Sequence, residues 1–82
     1  MVSVSSITQQ VRDLTGGLDS FELQATTVRT LIAAMEQRFP GLGTLVSDHM
    51  AIAIDGEIVQ DALGTPLQPD SEVVLIPRIA GG

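Results

Sequence analysis

An α+β fold, with a mixed sheet of four to five strands and one main helix packed across it, is what this 82-residue sequence predicts. Three observations carry that expectation. Apolar and polar residues alternate near the N-terminus, which is the period of a half-buried strand. Val28, Leu31, Ile32, Met35 and Phe39 recur at i, i+3, i+4, i+7 and i+11, one apolar stripe at helical spacing. Glu72-Val73-Val74-Leu75-Ile76 is a β-branched run of the kind a central strand needs. The length fits a single domain, and 44% hydrophobic residues is too many for a disordered chain.

The elements follow in order. Val2, Val4 and Ser6 share one face of an opening strand that ends near Ile7, with Ser3 and Ser5 on the other. Residues 8–14 are mixed and suit a turn of helix, and Thr15-Gly16-Gly17 signals a turn. Phe21, Leu23 and Ala25 alternate with Ser20, Glu22 and Gln24, giving a second strand that forms an antiparallel hairpin with the first. Thr26 or Thr27 can cap the main helix by accepting from an orphan backbone N–H, and Pro40-Gly41 stops it. Leu42 to Asp48 reads as a connector with Gly41 and Gly43. Met50-Ala51-Ile52-Ala53-Ile54 is a buried-looking strand, Asp55-Gly56 the preferred pair for a two-residue type I′ turn, and Glu57-Ile58-Val59 its return. Gly64, Pro66 and Pro69-Asp70-Ser71 mark further turns before the last strand, which Pro77 ends by removing a ladder donor. Residues 1–77 are thus the domain, and 78–82 a flexible tail, expected to be disordered without a partner. The order suits a β-grasp, the ubiquitin-like fold, but the pattern alone also allows a different α+β arrangement; first and last strands parallel at the sheet centre are what a family resemblance implies.

Composition removes several kinds of chemistry. Without Cys there is no disulfide, thiolate metal site or Cys nucleophile. The single His excludes a His-based zinc cluster and makes a Ser-His-Asp triad unpromising. A net charge of −6 repels phosphate backbones and anionic membranes, and two Phe with no Trp or Tyr leave almost nothing to stack on bases. The four basic residues are Arg12, Arg29, Arg38 and Arg78, so no side-chain ammonium exists for Schiff-base or isopeptide chemistry. No apolar run reaches the roughly 18 residues of a membrane helix, and no basic start leads into an apolar secretory signal. A cytoplasmic protein whose partners carry basic patches is expected. The domain is too small for a deep enzyme pocket of its own.

Few residues invite a functional reading. His49, between a loop and an apolar strand, reads as a surface or half-buried side chain. Asp55, Glu57 and Asp61 lack the spacing of a calcium loop and read as a solvated face. Gly16-Gly17 is followed by no phosphate-loop lysine. One face of the strands bearing Ile52, Ile54, Val74 and Ile76 packs on the helix; the other, if exposed and apolar, is a docking patch. Gly81-Gly82 is different. Glycines without Cβ thread a narrow channel and present an unhindered carboxylate, and here they follow an apolar strand and a proline stop.

The chain resembles the small sulfur carriers, the family of the molybdopterin synthase small subunit and the thiamine-pathway carrier. The resemblance runs through Val11-Arg12-Asp13-Leu14-Thr15-Gly16-Gly17, Thr27-Val28-Arg29-Thr30-Leu31-Ile32, Arg38-Phe39-Pro40-Gly41-Leu42, Ile54-Asp55-Gly56-Glu57, Thr65-Pro66-Leu67 and Asp70-Ser71-Glu72-Val73-Val74-Leu75-Ile76-Pro77, to Ile79-Ala80-Gly81-Gly82. It implies that an E1-like adenylating enzyme uses ATP to activate the carboxylate of Gly82. A persulfide donor then displaces AMP to leave a thiocarboxylate, while Ile79, Ala80 and Gly81 form the tail that threads the partner's channel. No bound cofactor and no metal are implied, and no active site in the chain itself. The partners implied are the activating enzyme and a sulfur-accepting synthase, foremost the large subunit of molybdopterin synthase. Carriers for thiamine, cysteine or another sulfur metabolite, a ubiquitin-like protein modifier and a plain interaction domain stand as alternatives.

Overall fold

The first strand, β1 (Val2–Ser5), buries Val2 and Val4 and turns Ser3 and Ser5 outward, as the alternation predicts. The computed structural model describes residues 1–59 and 62–77. The order is β1, α1 (Gln9–Thr15), β2 (Ser20–Leu23), α2 (Val28–Arg38), α3 (Leu42–His49), β3 (Met50–Ile54), β4 (Glu57–Val59), a 3₁₀ turn (Ala62–Gly64) and β5 (Glu72–Pro77). The strands lie in the order β2-β1-β5-β3-β4. β5 is central, parallel to β1 (Val4 beside Val73) and antiparallel to β3 (Ile52 beside Leu75).

β1 stops two residues earlier than expected. The Ser6 hydroxyl accepts from the Thr8 amide at 3.3 Å and starts the turn into α1. This is the usual competition between a short hydroxyl side chain and the ladder. The 8–14 segment is two turns of helix rather than one. Thr8 caps α1 by accepting from Val11 N–H, and Gly16 closes it at φ +77°.

Of the two candidate caps for α2, Thr27 is the one used. Its Oγ1 accepts from Thr30 N–H at 3.2 Å, and Thr30 Oγ1 accepts from Thr27 N–H at 3.0 Å, a reciprocal capping box built from two threonines. Val28, Leu31 and Met35 of the stripe are buried, while Ile32 and Phe39 are half-buried at its margin. The Phe21 and Phe39 rings meet edge to face at 5.1 Å.

The connector expected between Leu42 and Asp48 is a helix, α3. Leu42, Leu45 and Val46 supply its apolar side. Glu36 of α2 supplies its cap: the carboxylate accepts from Gly41 N–H at 2.8 Å and Thr44 N–H at 3.3 Å, orphan donors at a helix start. Gly43 lets the two helices touch, since a Cβ there would lie 2.8 Å from Glu36 Cβ and 3.0 Å from the Ile32 carbonyl oxygen. Helices and sheet enclose one core, in which Leu31, Met35, Leu42 and Leu75 are the largest fully buried side chains. Pro77 belongs to β5, opposite Met50, instead of merely following it.

Candidate functional site at the end of the central strand

The register settles which strand residues face out. Cross-strand neighbours share a face. Ile52 lies beside Leu75 and Ile54 beside Val73, so both join the core face, whereas Val74 lies beside Ala53 and Ile76 beside Ala51 on the open face. Ile58 extends this surface across Ala53. Val74 is 41% exposed and Ile58 63%. Of the four residues considered as a docking patch, Val74 and Ile76 form one and Ile52 and Ile54 do not.

The open face is graded. One row runs Glu22, Ser3, Glu72 across β2, β1 and β5; the next runs Ser20, Ser5, Val74, Ala53 and Ile58; the last pairs Ile76 with Ala51. Carboxylates thus sit at one end and aliphatic side chains at the other, where β5 leaves the sheet. In water such carboxylates act over a Debye length of about 8 Å, enough to orient a basic partner before contact.

Beside the end of β5 lies a groove of about 350 Å³, lined by Ser5–Ile7, Arg12, Asp19, Ser20 and Val74–Pro77. It exists because β1 pairs with β5 only as far as Ser5 and Val74, while β5 runs on to Pro77 against β3. Ile7, 87% exposed, stands on its rim. Arg12 Nε donates to Asp19 Oδ1 at 2.5 Å on the same rim. Exposed pairs of this kind contribute about 0–1 kcal/mol, so it shapes the groove more than it stabilises the fold.

The residues expected to carry the chemistry, Ile79, Ala80, Gly81 and Gly82, lie outside the described residues, as do Arg78 and Asp61. What the structure gives is their point of departure: Pro77 at the end of the central strand, held by β3 and flanked by the groove and the apolar part of the open face. His49 is exposed at the end of α3, one residue before Met50, the cross-strand partner of Pro77. Asp55 and Glu57 are exposed, as expected of a solvated face, but Asp55 is also anchored to β5. Its carboxylate accepts from Glu72 N–H at 2.9 Å and from the Ser71 hydroxyl at 3.3 Å. Among the described residues no group of three His, Asp or Glu is placed to hold a metal ion, and no helix is long and apolar enough to cross a membrane.

The ThiS family model matches residues 6–82. The chain belongs to the ThiS family. No curated protein matches it. A chain of the Amycolatopsis orientalis BexX/CysO complex is similar over 100% of both chains at 26% identity, with a TM-score of 0.84. Mycobacterium tuberculosis CysO is 22% identical over 96% of this chain and 100% of that one, TM-score 0.85. A chain from the complex of subunits 1 and 2 of the Helicobacter pylori molybdopterin-converting factor is 23% identical over 99% of this chain and 97% of that one, TM-score 0.65. These likenesses establish the ubiquitin-like fold, and the family match makes the chain a sulfur carrier of the ThiS type.

Proposed function

We propose that this ThiS-family chain carries sulfur on the carboxylate of Gly82 and donates it in molybdopterin biosynthesis. The observation that carries the reading is that the family match runs through Gly82. The structure supports it by fixing the root of the tail. β5 has a strand on each side along Val73–Val74 and keeps β3 as far as Pro77, so a tail starting there leaves from a rigid point. Five residues fully extended reach about 17 Å, sufficient to carry a carboxylate into a partner's interior while the domain stays outside.

An E1-like enzyme joins the Gly82 carboxylate to AMP from ATP, releasing pyrophosphate. The terminal sulfur of a persulfide attacks the acyl carbon and AMP leaves. A thiol then splits the resulting acyl disulfide, leaving the thiocarboxylate on the carrier. Gly81 and Gly82 suit this chemistry because no Cβ shields the acyl carbon. No lysine of the chain competes for the adenylate. The aliphatic half of the open face and the groove rim at Ile7 dock the partners, with the carboxylate row favouring basic ones. Such a carrier works in the cytoplasm, with no nucleic acid or membrane as its partner.

A second reading is favoured by the end-to-end match at 26% identity to a chain of the BexX/CysO complex: the same thiocarboxylate serves cysteine, thiamine or another sulfur metabolite. The intact mass after co-expression with an activating enzyme and a persulfide donor tests the chemistry. A gain equal to one oxygen exchanged for sulfur, abolished by deleting Gly82, is expected. An unchanged mass with thiol-resistant protein adducts refutes it in favour of a protein modifier. Molybdopterin formation by the loaded carrier with a large synthase subunit then separates the two acceptor readings.

A further inference from the structure

The turn between β3 and β4 is Asp55-Gly56, with φ of +49° and +89°. In this dipeptide the glycine amide nitrogen has no Cβ beside it and can attack the aspartate Cγ. The amide proton and the carboxyl hydroxyl leave as water and a succinimide forms. Water then reopens the ring at either carbonyl, giving back aspartate or giving isoaspartate with no net change in mass. Nothing crowds Gly56 within 4 Å of a Cβ position, so the turn itself offers no steric protection.

Protection comes from β5. Both Asp55 carboxylate oxygens are engaged, Oδ1 by Glu72 N–H at 2.9 Å and Oδ2 by the Ser71 hydroxyl at 3.3 Å. The main chain is tied as well, Asp55 N–H donating to the Glu72 carbonyl at 2.8 Å. Ser71 is 2% exposed and its oxygen also accepts from Gln68 N–H at 2.9 Å, which fixes its position. The carboxylate is therefore held at the start of β5 and must break these bonds before it can turn to the Gly56 amide.

We propose that Asp55-Gly56 is an isoaspartate-forming site of this chain, guarded by Ser71 and the Glu72 amide. Modification routes the main chain through the side-chain carbon, lengthens a two-residue turn by one atom and removes the acceptor that anchors β5. The damage thus falls on the strand that carries the tail.

The full chain is aged at neutral pH, folded and in urea. Isoaspartate is read by methyl transfer from a protein isoaspartyl methyltransferase and assigned by peptide mapping. Asp55 isomerises in urea and at least about tenfold more slowly when folded, since reaction then waits for local opening. Ser71→Ala raises the folded rate about fivefold, the worth of one hydrogen bond. Thr27→Ala, which weakens the fold at the cap of α2 without removing a bond to Asp55, does not. Three results overturn the proposal: no isoaspartate at Asp55 in urea, equal rates folded and unfolded, or equal acceleration by Ser71→Ala and Thr27→Ala, which would place the protection in global stability.

Discussion

Replacing Gly43 by alanine sets two effects against each other. Alanine in a helix interior is favoured over glycine by about 1 kcal/mol, so an isolated α3 would gain. In the folded protein the new Cβ meets Glu36 Cβ at 2.8 Å and the Ile32 carbonyl oxygen at 3.0 Å. Carbon–carbon contacts are best near 3.5–4.0 Å, so α2 and α3 must separate by roughly 1 Å. Neither contact atom can swing aside, because one is backbone and the other is bonded to it. Separation also pulls the Glu36 carboxylate from the N–H groups it caps at Gly41 and Thr44. Overpacking of this kind costs about 1–3 kcal/mol, and the lost cap adds about 1 kcal/mol. After the propensity gain the net loss is about 1–3 kcal/mol, a fall in Tm of roughly 5–15 °C for a domain this size. Far-UV circular dichroism melts are the assay, as the chain has no Trp or Tyr to report by fluorescence. A variant as stable as the parent, or more so, refutes the close approach of α2 and α3.

Other outcomes follow from the same geometry. Asp55→Ala frees Glu72 N–H and the Ser71 hydroxyl and is expected to cost about 1–3 kcal/mol, seen as a lower urea midpoint with an unchanged m-value. Thr27→Ala opens the capping box and costs about 1 kcal/mol, read in the same melts. Ile7→Ser, at an 87% exposed position, changes stability by less than about 0.5 kcal/mol, yet raises the KM for sulfur loading by roughly tenfold if Ile7 is an anchor of the docking surface. Arg12→Ala breaks the Arg12–Asp19 pair and moves the urea midpoint by no more than about 1 kcal/mol equivalent.

Much of the fold was legible because its signals are local and periodic. The α2 stripe and the alternation in β1 and β2 need only neighbouring residues to be read. The parallel pairing of β1 with β5 came instead from the family resemblance, since pattern alone allows other α+β arrangements. α3 was missed for a physical reason. Gly41 and Gly43 read as loop residues, but only Gly41 has a positive φ, and Gly43 is a contact residue whose missing Cβ admits a neighbouring helix. Leu42, Leu45 and Val46, spaced i, i+3 and i+4, were the available signal. The anchoring bonds of Asp55 had no local signal, because its partners, Ser71 and Glu72, are far along the chain and one is a main-chain amide without a sequence signature. The open face could be assigned only once register was known, because a one-residue slip reverses every strand side chain. Likewise the groove arises from unequal strand lengths, which no local pattern encodes.

The central place of β5 also dictates how the domain can assemble. Without it the remaining strands are two separate antiparallel pairs, β2 with β1 and β3 with β4, divided by a strand-wide gap. Short two-stranded units are marginal in water on their own. Val4 and Val73 must meet across most of the chain, a contact whose loop-closure entropy is met late and slows folding. Neither pair gains its inner neighbour until β5 docks, so the two halves become cooperative in the step that positions Pro77. A chain that has not folded therefore has no fixed tail root to present, and any partner that reads the domain and the tail together selects for completed folding.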